Sequence, residues 1–199
     1  RGFLDAASLA GVRIVHPTGI TPALSASAAA AVDAAVSIAS DAGVTVSFDV
    51  NHRTSLWSAD QAAPVYRSLM ARASVVFAGM DEAELVAGSG EADEVIDAIA
   101  RLGPSQVVLK LGSAGCAARI DGARVRMPAV TVPVVDTVGA GDAFVAGYLA
   151  ELTAGEPAEH RLRTAVAAGA FACMSFADWA GYPSRADLSL LAKSEPVTR

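Results

Sequence analysis

The run Val135-Asp136-Thr137-Val138-Gly139-Ala140-Gly141-Asp142-Ala143-Phe144 sets two glycines around an alanine just ahead of a long helical pattern. Glycines let the backbone turn sharply and aim successive N–H groups at one point. A helix N-terminus adds unpaired donors and the positive end of the helix dipole. The amides of Gly139, Ala140 and Gly141 are therefore a candidate anion hole, suited to a phosphoryl group in transfer. Asp142 falls in the first helical turn, where a charged carboxylate is favoured and can take a proton from a substrate hydroxyl. Taken alone, the same pattern also describes a tight turn with an acidic helix cap, and these residues leave both readings open. Other phosphate motifs fit less well. The dinucleotide fingerprint needs a third glycine where Phe144 stands, and no Gly-Lys-Ser/Thr occurs in the chain.

Four further segments carry groups that could do chemistry. Lys110-Leu111-Gly112-Ser113-Ala114-Gly115 is a glycine-rich turn after a strand, open enough to approach a nucleotide or simply to turn a hairpin. Phe48-Asp49-Val50-Asn51-His52-Arg53-Thr54-Ser55-Leu56-Trp57 follows another strand. Its Arg53 can grip a carboxylate or phosphate with two N–H groups, or pair with a nearby acid. Glu82, in Gly79-Met80-Asp81-Glu82, is an acid at a helix start. Asp178 sits in the loop Phe176-Ala177-Asp178-Trp179-Ala180-Gly181-Tyr182-Pro183 and reads as a substrate contact or a turn residue. His16, His52 and His160 have no metal-ligand spacing, and Cys173 on an apolar helix face reads as core.

The elements that must position these groups follow from apolar periodicity. Val12–His16 reads as a strand, and Thr18–Pro22 as a loop. Ser25–Asp41 reads as a helix closed by Gly43. Strand Val44–Val50, helix Asp60–Arg72, strand Ser74–Ala78 and helices Asp81–Ala87 and Glu91–Leu102 follow. Strand Gln106–Leu111 leads to a hairpin, Cys116–Ile120 and Ala123–Met127, around Asp121-Gly122. Helices Gly141–Leu152, Ala158–Phe176 and Arg185–Ala192 close the chain. Strands alternating with helices predict a single α/β domain over residues 1–199, with a largely parallel sheet covered by helices on both faces. Ligands of such sheets bind beyond the carboxyl ends of the strands, which points to the loops after Phe48, Phe77, Leu109 and Val135.

Composition narrows the classes. Of 199 residues 53% are hydrophobic and 18% charged, which excludes a disordered chain. A net charge of -6 gives no overall basic footprint for nucleic acid or an anionic membrane. The alanine-rich stretch Ala23–Ala42 carries Asp33, Asp41 and serines, too polar for a membrane span. Two distant cysteines, Cys116 and Cys173, fit a reducing cytoplasm better than a disulfide framework. The first residue is Arg1 and no signal-peptide pattern follows, and the opening Leu4-Asp5-Ala6-Ala7 reads as helix-like, so a fragment or a processed product is expected.

Asp136-Thr137-Val138-Gly139-Ala140-Gly141-Asp142-Ala143-Phe144 resembles the C-terminal signature of the PfkB/ribokinase family of sugar kinases, and the resemblance runs from about Ile14 to Leu191. It implies a Rossmann-like ribokinase fold that binds ATP with Mg2+, and in some members a monovalent cation, and phosphorylates a sugar hydroxyl. By this match Asp142 is the catalytic base, also touching substrate, and Gly139, Ala140 and Gly141 form the anion hole. Nucleotide contacts would come from Asn51, Lys110, Gly112, Ser113 and Gly115. The Asp49-to-Trp57 run is similar to the Asp-x-Asn-x-Arg-x-x-Leu-Trp segment of the 2-keto-3-deoxygluconate kinase subgroup, which implies that Arg53 contacts an acidic sugar. Asp178 matches a substrate-binding Asp of that subgroup, with Ala177 in place of its glycine. Glu82 matches the Glu of a family Asn-x-x-Glu that organises magnesium through water, but Gly79 replaces the Asn. A kinase for a neutral sugar such as ribose or fructose, or a non-catalytic sugar- or nucleotide-binding module, are the alternatives. The family's first strands and lid do not precede Arg1. The match therefore predicts that residues 1–199 expressed alone are insoluble or inactive, and that the whole protein is a homo-oligomer formed through that lid.

Overall fold

A computed structural model describes residues 5–176, 179 and 181–191. These fall into two compact units, one within Arg1–Leu111 and Ala117–Val125, the other within Gly112–Cys116 and Arg126–Arg199.

The strands form a six-stranded sheet in the order β1-β2-β3-β4-β5-β6, of which the first four lie wholly in the first unit. The strands are β1 Ile14–Val15, β2 Thr45–Asp49, β3 Val75–Gly79, β4 Gln106–Lys110, β5 Cys116–Ile120 and β6 Ala123–Met127. The first four are parallel, with Ile14 opposite Thr45, Ser47 opposite Val75 and Gly79 opposite Lys110. Parallel neighbours need crossover connections. Here these are α1 Ile20–Leu24, α2 Ala26–Asp41, α3 Ala59–Met70, α4 Met80–Ala87 and α5 Ala92–Ala100. Strand residues such as Val46, Phe48, Val76, Phe77, Val107 and Leu109 are buried, as expected of strands covered on both faces. The turn between β5 and β6 places Asp121 and Gly122 at φ 50 and 90°, the geometry that matches the twist of a two-residue hairpin.

Local signals explain most boundaries. Ser25 caps α2 by accepting from the Ala28 amide, and Ser58 with Gln61 forms a capping box on α3. The structure departs from the sequence reading at three places. Thr18–Pro22 is not all loop, because α1 begins at Ile20 and Pro22 sits in its first turn, where a missing N–H leaves no bond unmade. The first strand is only Ile14–Val15, and the opening segment is one 3-10 turn, Ala6–Leu9. The helix expected to reach Phe176 stops at Ala172.

The second unit holds α6 Ala140–Ala154, α7 Ala158–Ala172 and α8 Arg185–Leu191. Helices α6 and α7 pack backbone to backbone. A Cβ on Gly147 would meet the Ala165 Cα and the Thr164 carbonyl oxygen at 3.1 Å. The carboxylate of Glu151 in α6, only 3% exposed, accepts from the Arg185 guanidinium of α8 at 2.6 Å. No helix among the described residues is long and apolar enough to cross a membrane.

Candidate active site

In the second unit the glycine loop is anchored at its entry and leaves several amides without an acceptor among the described residues. The amides of Val135 and Asp136 donate to the carbonyl of Cys173 at 2.8 and 3.3 Å, so the end of α7 anchors the loop's entry. Cys173, read from the sequence as core, is a half-buried C-cap doing this through its backbone. The Asp136 carboxylate accepts from the Val138 amide at 3.1 Å. Gly139, the N-cap of α6, is left-handed at φ 77°, a conformation that disfavours any residue with a Cβ. The Tyr182 hydroxyl donates to the Gly139 carbonyl at 2.9 Å and fixes its orientation.

Of the three predicted anion-hole amides, Ala140 donates to the Thr137 carbonyl at 3.3 Å. The Gly139 and Gly141 amides have no acceptor among the described residues, and neither does the amide of Asp142. Asp142 itself is exposed in the first turn of α6, and its carboxylate has no partner among the described residues. An unpaired carboxylate beside open amides can accept a proton while the amides receive negative charge. Gly112 opens a 3-10 turn, Gly112–Ala114, in which Ser113 is exposed, and Gly115 follows it. A Cβ on Gly115 would fall 2.0 Å from the Met127 carbonyl oxygen, so that glycine is required by close backbone approach whatever else it does. Asp178, expected at the substrate, lies outside the described residues, as does Ala177.

In the first unit the strand ends carry a connected polar network. Lys110 Nζ bonds both carboxylate oxygens of Asp49, at 2.8 and 2.9 Å, and Asp49 is 1% exposed. The lysine expected at the nucleotide is thus engaged with a buried acid at the end of β2. Glu82 is not a free helix-start acid. Its two oxygens accept from the amides of His52 at 2.8 Å and Gly79 at 2.7 Å, joining the loop after β2 to the end of β3. Asn51 takes a left-handed φ of 39°, which Asn tolerates better than most residues. Tyr66 of α3 is fully buried, and its Oη lies 2.9 Å from His52 Nδ1 and 3.2 Å from Trp57 Nε1. Burial, the largest cause, pushes the Tyr66 phenol up to about 12. Arg53 is exposed, and its guanidinium has no hydrogen-bond or ion-pair partner among the described residues.

Asp49, Tyr66 and Tyr182 were not singled out in the sequence. Tyr182 lies 43 positions from Gly139, and no local pattern links them.

A largely parallel α/β sheet, with a glycine loop opening a helix in the second unit, defines a ribokinase-like α/β protein. The chain belongs to the pfkB family of carbohydrate kinases, whose pattern it matches over residues 4–184. It is 34% identical over 184 residues to the 2-dehydro-3-deoxygluconokinase of Bacillus subtilis (strain 168), covering 88% of this chain and 55% of that protein. A PfkB protein from Polaromonas sp. JS666 matches with TM-score 0.82 at 31% identity, over 94% of this chain and 60% of that one. Aminoimidazole riboside kinase from Salmonella enterica, solved with aminoimidazole riboside and an ATP analogue, matches with TM-score 0.81 at 27% identity, over 91% and 63% of the two chains. The chain spans little more than half the length of the Bacillus relative.

Proposed function

We propose that the protein containing this chain transfers the terminal phosphoryl group of ATP to a hydroxyl of a sugar acid, 2-keto-3-deoxygluconate, and that both units belong to one kinase domain acting in the cytoplasm. The observation that carries this reading is Asp142, exposed and unpaired among the described residues, within one turn of the open amides of Gly139 and Gly141. In this mechanism Asp142 takes the proton of the attacking hydroxyl. The sugar oxygen bonds to phosphorus, the bond from phosphorus to the bridging oxygen breaks, and ADP leaves. The Gly139 and Gly141 amides hold the phosphoryl oxygens as charge redistributes. Because such transition states are loose, positioning and charge neutralisation supply most of the rate.

The nucleotide would lie along the turn from Gly112 through Ser113 to Gly115. Among the described residues no group of three or more His, Cys, Asp or Glu could hold a metal ion. Both Glu82 oxygens already accept a backbone amide, which suits contact with magnesium through water. Magnesium bound to ATP would neutralise phosphate charge, its ligands coming mainly from the nucleotide and water. Arg53, in the loop after β2 and with no partner among the described residues, favours an acidic sugar over a neutral one, since a guanidinium binds a carboxylate through two parallel bonds. The test is ATP-dependent phosphorylation by the intact protein across sugar acids and neutral sugars. Turnover with 2-keto-3-deoxygluconate well above that with ribose or fructose is the expected result. Equal or greater turnover with a neutral sugar refutes the substrate, and no turnover with any sugar refutes the activity.

A further inference from the structure

The network under the β2 loop fixes the protons of His52. An indole N–H can only donate, so Tyr66 Oη accepts from Trp57 Nε1 at 3.2 Å. The phenol keeps its own proton, being pushed up to about 12 mainly by burial. His52 Nδ1 lies 2.9 Å from that oxygen. If Nδ1 carried hydrogen, the phenol proton would be left without an acceptor inside a buried site, an arrangement folded proteins avoid. Trp57 therefore donates to Tyr66, and Tyr66 donates to His52 Nδ1. A neutral imidazole accepting at Nδ1 carries its hydrogen on Nε2.

The ring is also fixed in place. It stands edge-on to Tyr66 at 5.9 Å and 88°, and the His52 amide is held by Glu82 at 2.8 Å. His52 Nε2 has no partner among the described residues, and the side chain is half-buried. The neighbouring Arg53 guanidinium is likewise unpartnered there. A rigid N–H donor and a free cation on consecutive residues, beyond the carboxyl end of a parallel strand, suit an oxyanion.

We propose that His52 is a ligand-binding residue, held as the Nε2–H tautomer by Trp57 and Tyr66, that donates Nε2–H to an oxyanion of a bound ligand. The inference rests on the kinase reading for its ligands, and the oxyanion is either the carboxylate of the sugar acid or a phosphate of ATP.

Two variants separate the two nitrogens. His52→Asn keeps an acceptor near the Nδ1 position for Tyr66 but has no donor at the Nε2 position. His52→Gln carries an N–H near the Nε2 position. The intact protein is titrated calorimetrically with 2-keto-3-deoxygluconate and, separately, with ATP and magnesium. His52→Asn should weaken one of the two ligands about 10-fold or more, the range for a lost hydrogen bond to a charged group. His52→Gln should recover most of that loss. Loss in the sugar-acid arm assigns the carboxylate, and loss in the ATP arm assigns the phosphate. Unchanged affinity for both ligands in His52→Asn overturns the proposal while leaving the kinase reading intact. Wild-type protein that binds neither ligand overturns the kinase reading and the ligand with it. Nitrogen-15 NMR of the imidazole gives a readout free of any ligand: the Nε2–H tautomer supports the relay, and an Nδ1–H tautomer overturns it.

Discussion

The strand ends of the first unit and the glycine loop of the second unit carry similar chemical groups in opposite states. At the strand ends, Asp49 is buried and held twice by Lys110, and Glu82 gives one oxygen to each of two amides. In the loop, Asp142 is exposed, and the amides of Gly139, Gly141 and Asp142 have no acceptor among the described residues. A carboxylate already satisfied in the interior cannot change partners without losing what holds it. One left open beside unspent donors can. On the proposed reading the first region is mainly framework and the second carries the reaction, with Arg53 and the outer nitrogen of His52 as the open groups of the first.

The largest effect tests the open side. Asp142→Asn removes the proton acceptor and leaves the loop amides in place. Turnover in the intact protein should fall about 100- to 10,000-fold, the range for loss of a general base. The melting temperature should stay near that of the wild type, because this side chain bonds nothing described. Near-normal turnover would sink the assignment, and a large loss of stability would sink the contrast.

The next effect tests the satisfied side. Lys110→Met removes the cation that bonds both carboxylate oxygens of Asp49, which is 1% exposed. Stranding one member of a buried ion pair is worth about 3–5 kcal/mol of stability. Denaturant unfolding should show that loss, and adding Asp49→Asn to the same chain should restore much of it. If Lys110→Met leaves stability unchanged but weakens ATP binding, the lysine belongs to the nucleotide after all.

A third test sits on the border between framework and reaction. Tyr182→Phe removes the hydrogen bond from its hydroxyl to the carbonyl of Gly139, the N-cap of α6. A bond of this kind is worth about 0.5–1.5 kcal/mol. If the bond positions the loop, kcat should drop about 3- to 10-fold with little change in the KM for sugar. A change in melting temperature with kcat intact would make Tyr182 a structural strut only.

Legibility in the sequence follows the same division. The strands and long helices were readable because apolar periodicity and helix ends are local, as at Ser25 and Gly43. The glycine loop was readable because the geometry it demands is local too: Gly139 at φ 77° opens α6 with Asp142 in its first turn. The framework contacts were not readable. Lys110 finds Asp49 across 61 positions and Glu82 finds His52 across 30, pairings set by sheet register and not by any neighbouring residue. Helix α1 was hidden for a different reason. Thr-Gly-Ile-Thr-Pro has the composition of a loop, and only packing distinguishes a proline in a first turn from one in a bend.

The smallest effect is expected at Gly79, the one place where this region lacks the residue its family resemblance calls for. Its backbone lies at φ -71°, ψ 165°, extended and open to any residue. A Cβ there would meet Glu82 Oε2 at 3.4 Å, an ordinary contact, and the bond from the Gly79 amide to that oxygen needs no side chain. Gly79→Asn should therefore fold without strain. Removing a glycine from a position that accepts a side chain restricts the unfolded chain, a gain of about 0.4–1 kcal/mol at best. For a domain of this size that is a rise in melting temperature of roughly 1–4 °C. A fall of several degrees would mean that Glu82 had been displaced from the two amides it joins. The strand-end region would then be less tolerant than its geometry indicates. A stable Gly79→Asn protein that needs less magnesium for turnover would place Glu82 at the metal as well as in the framework, and the division between the two regions would narrow at that residue.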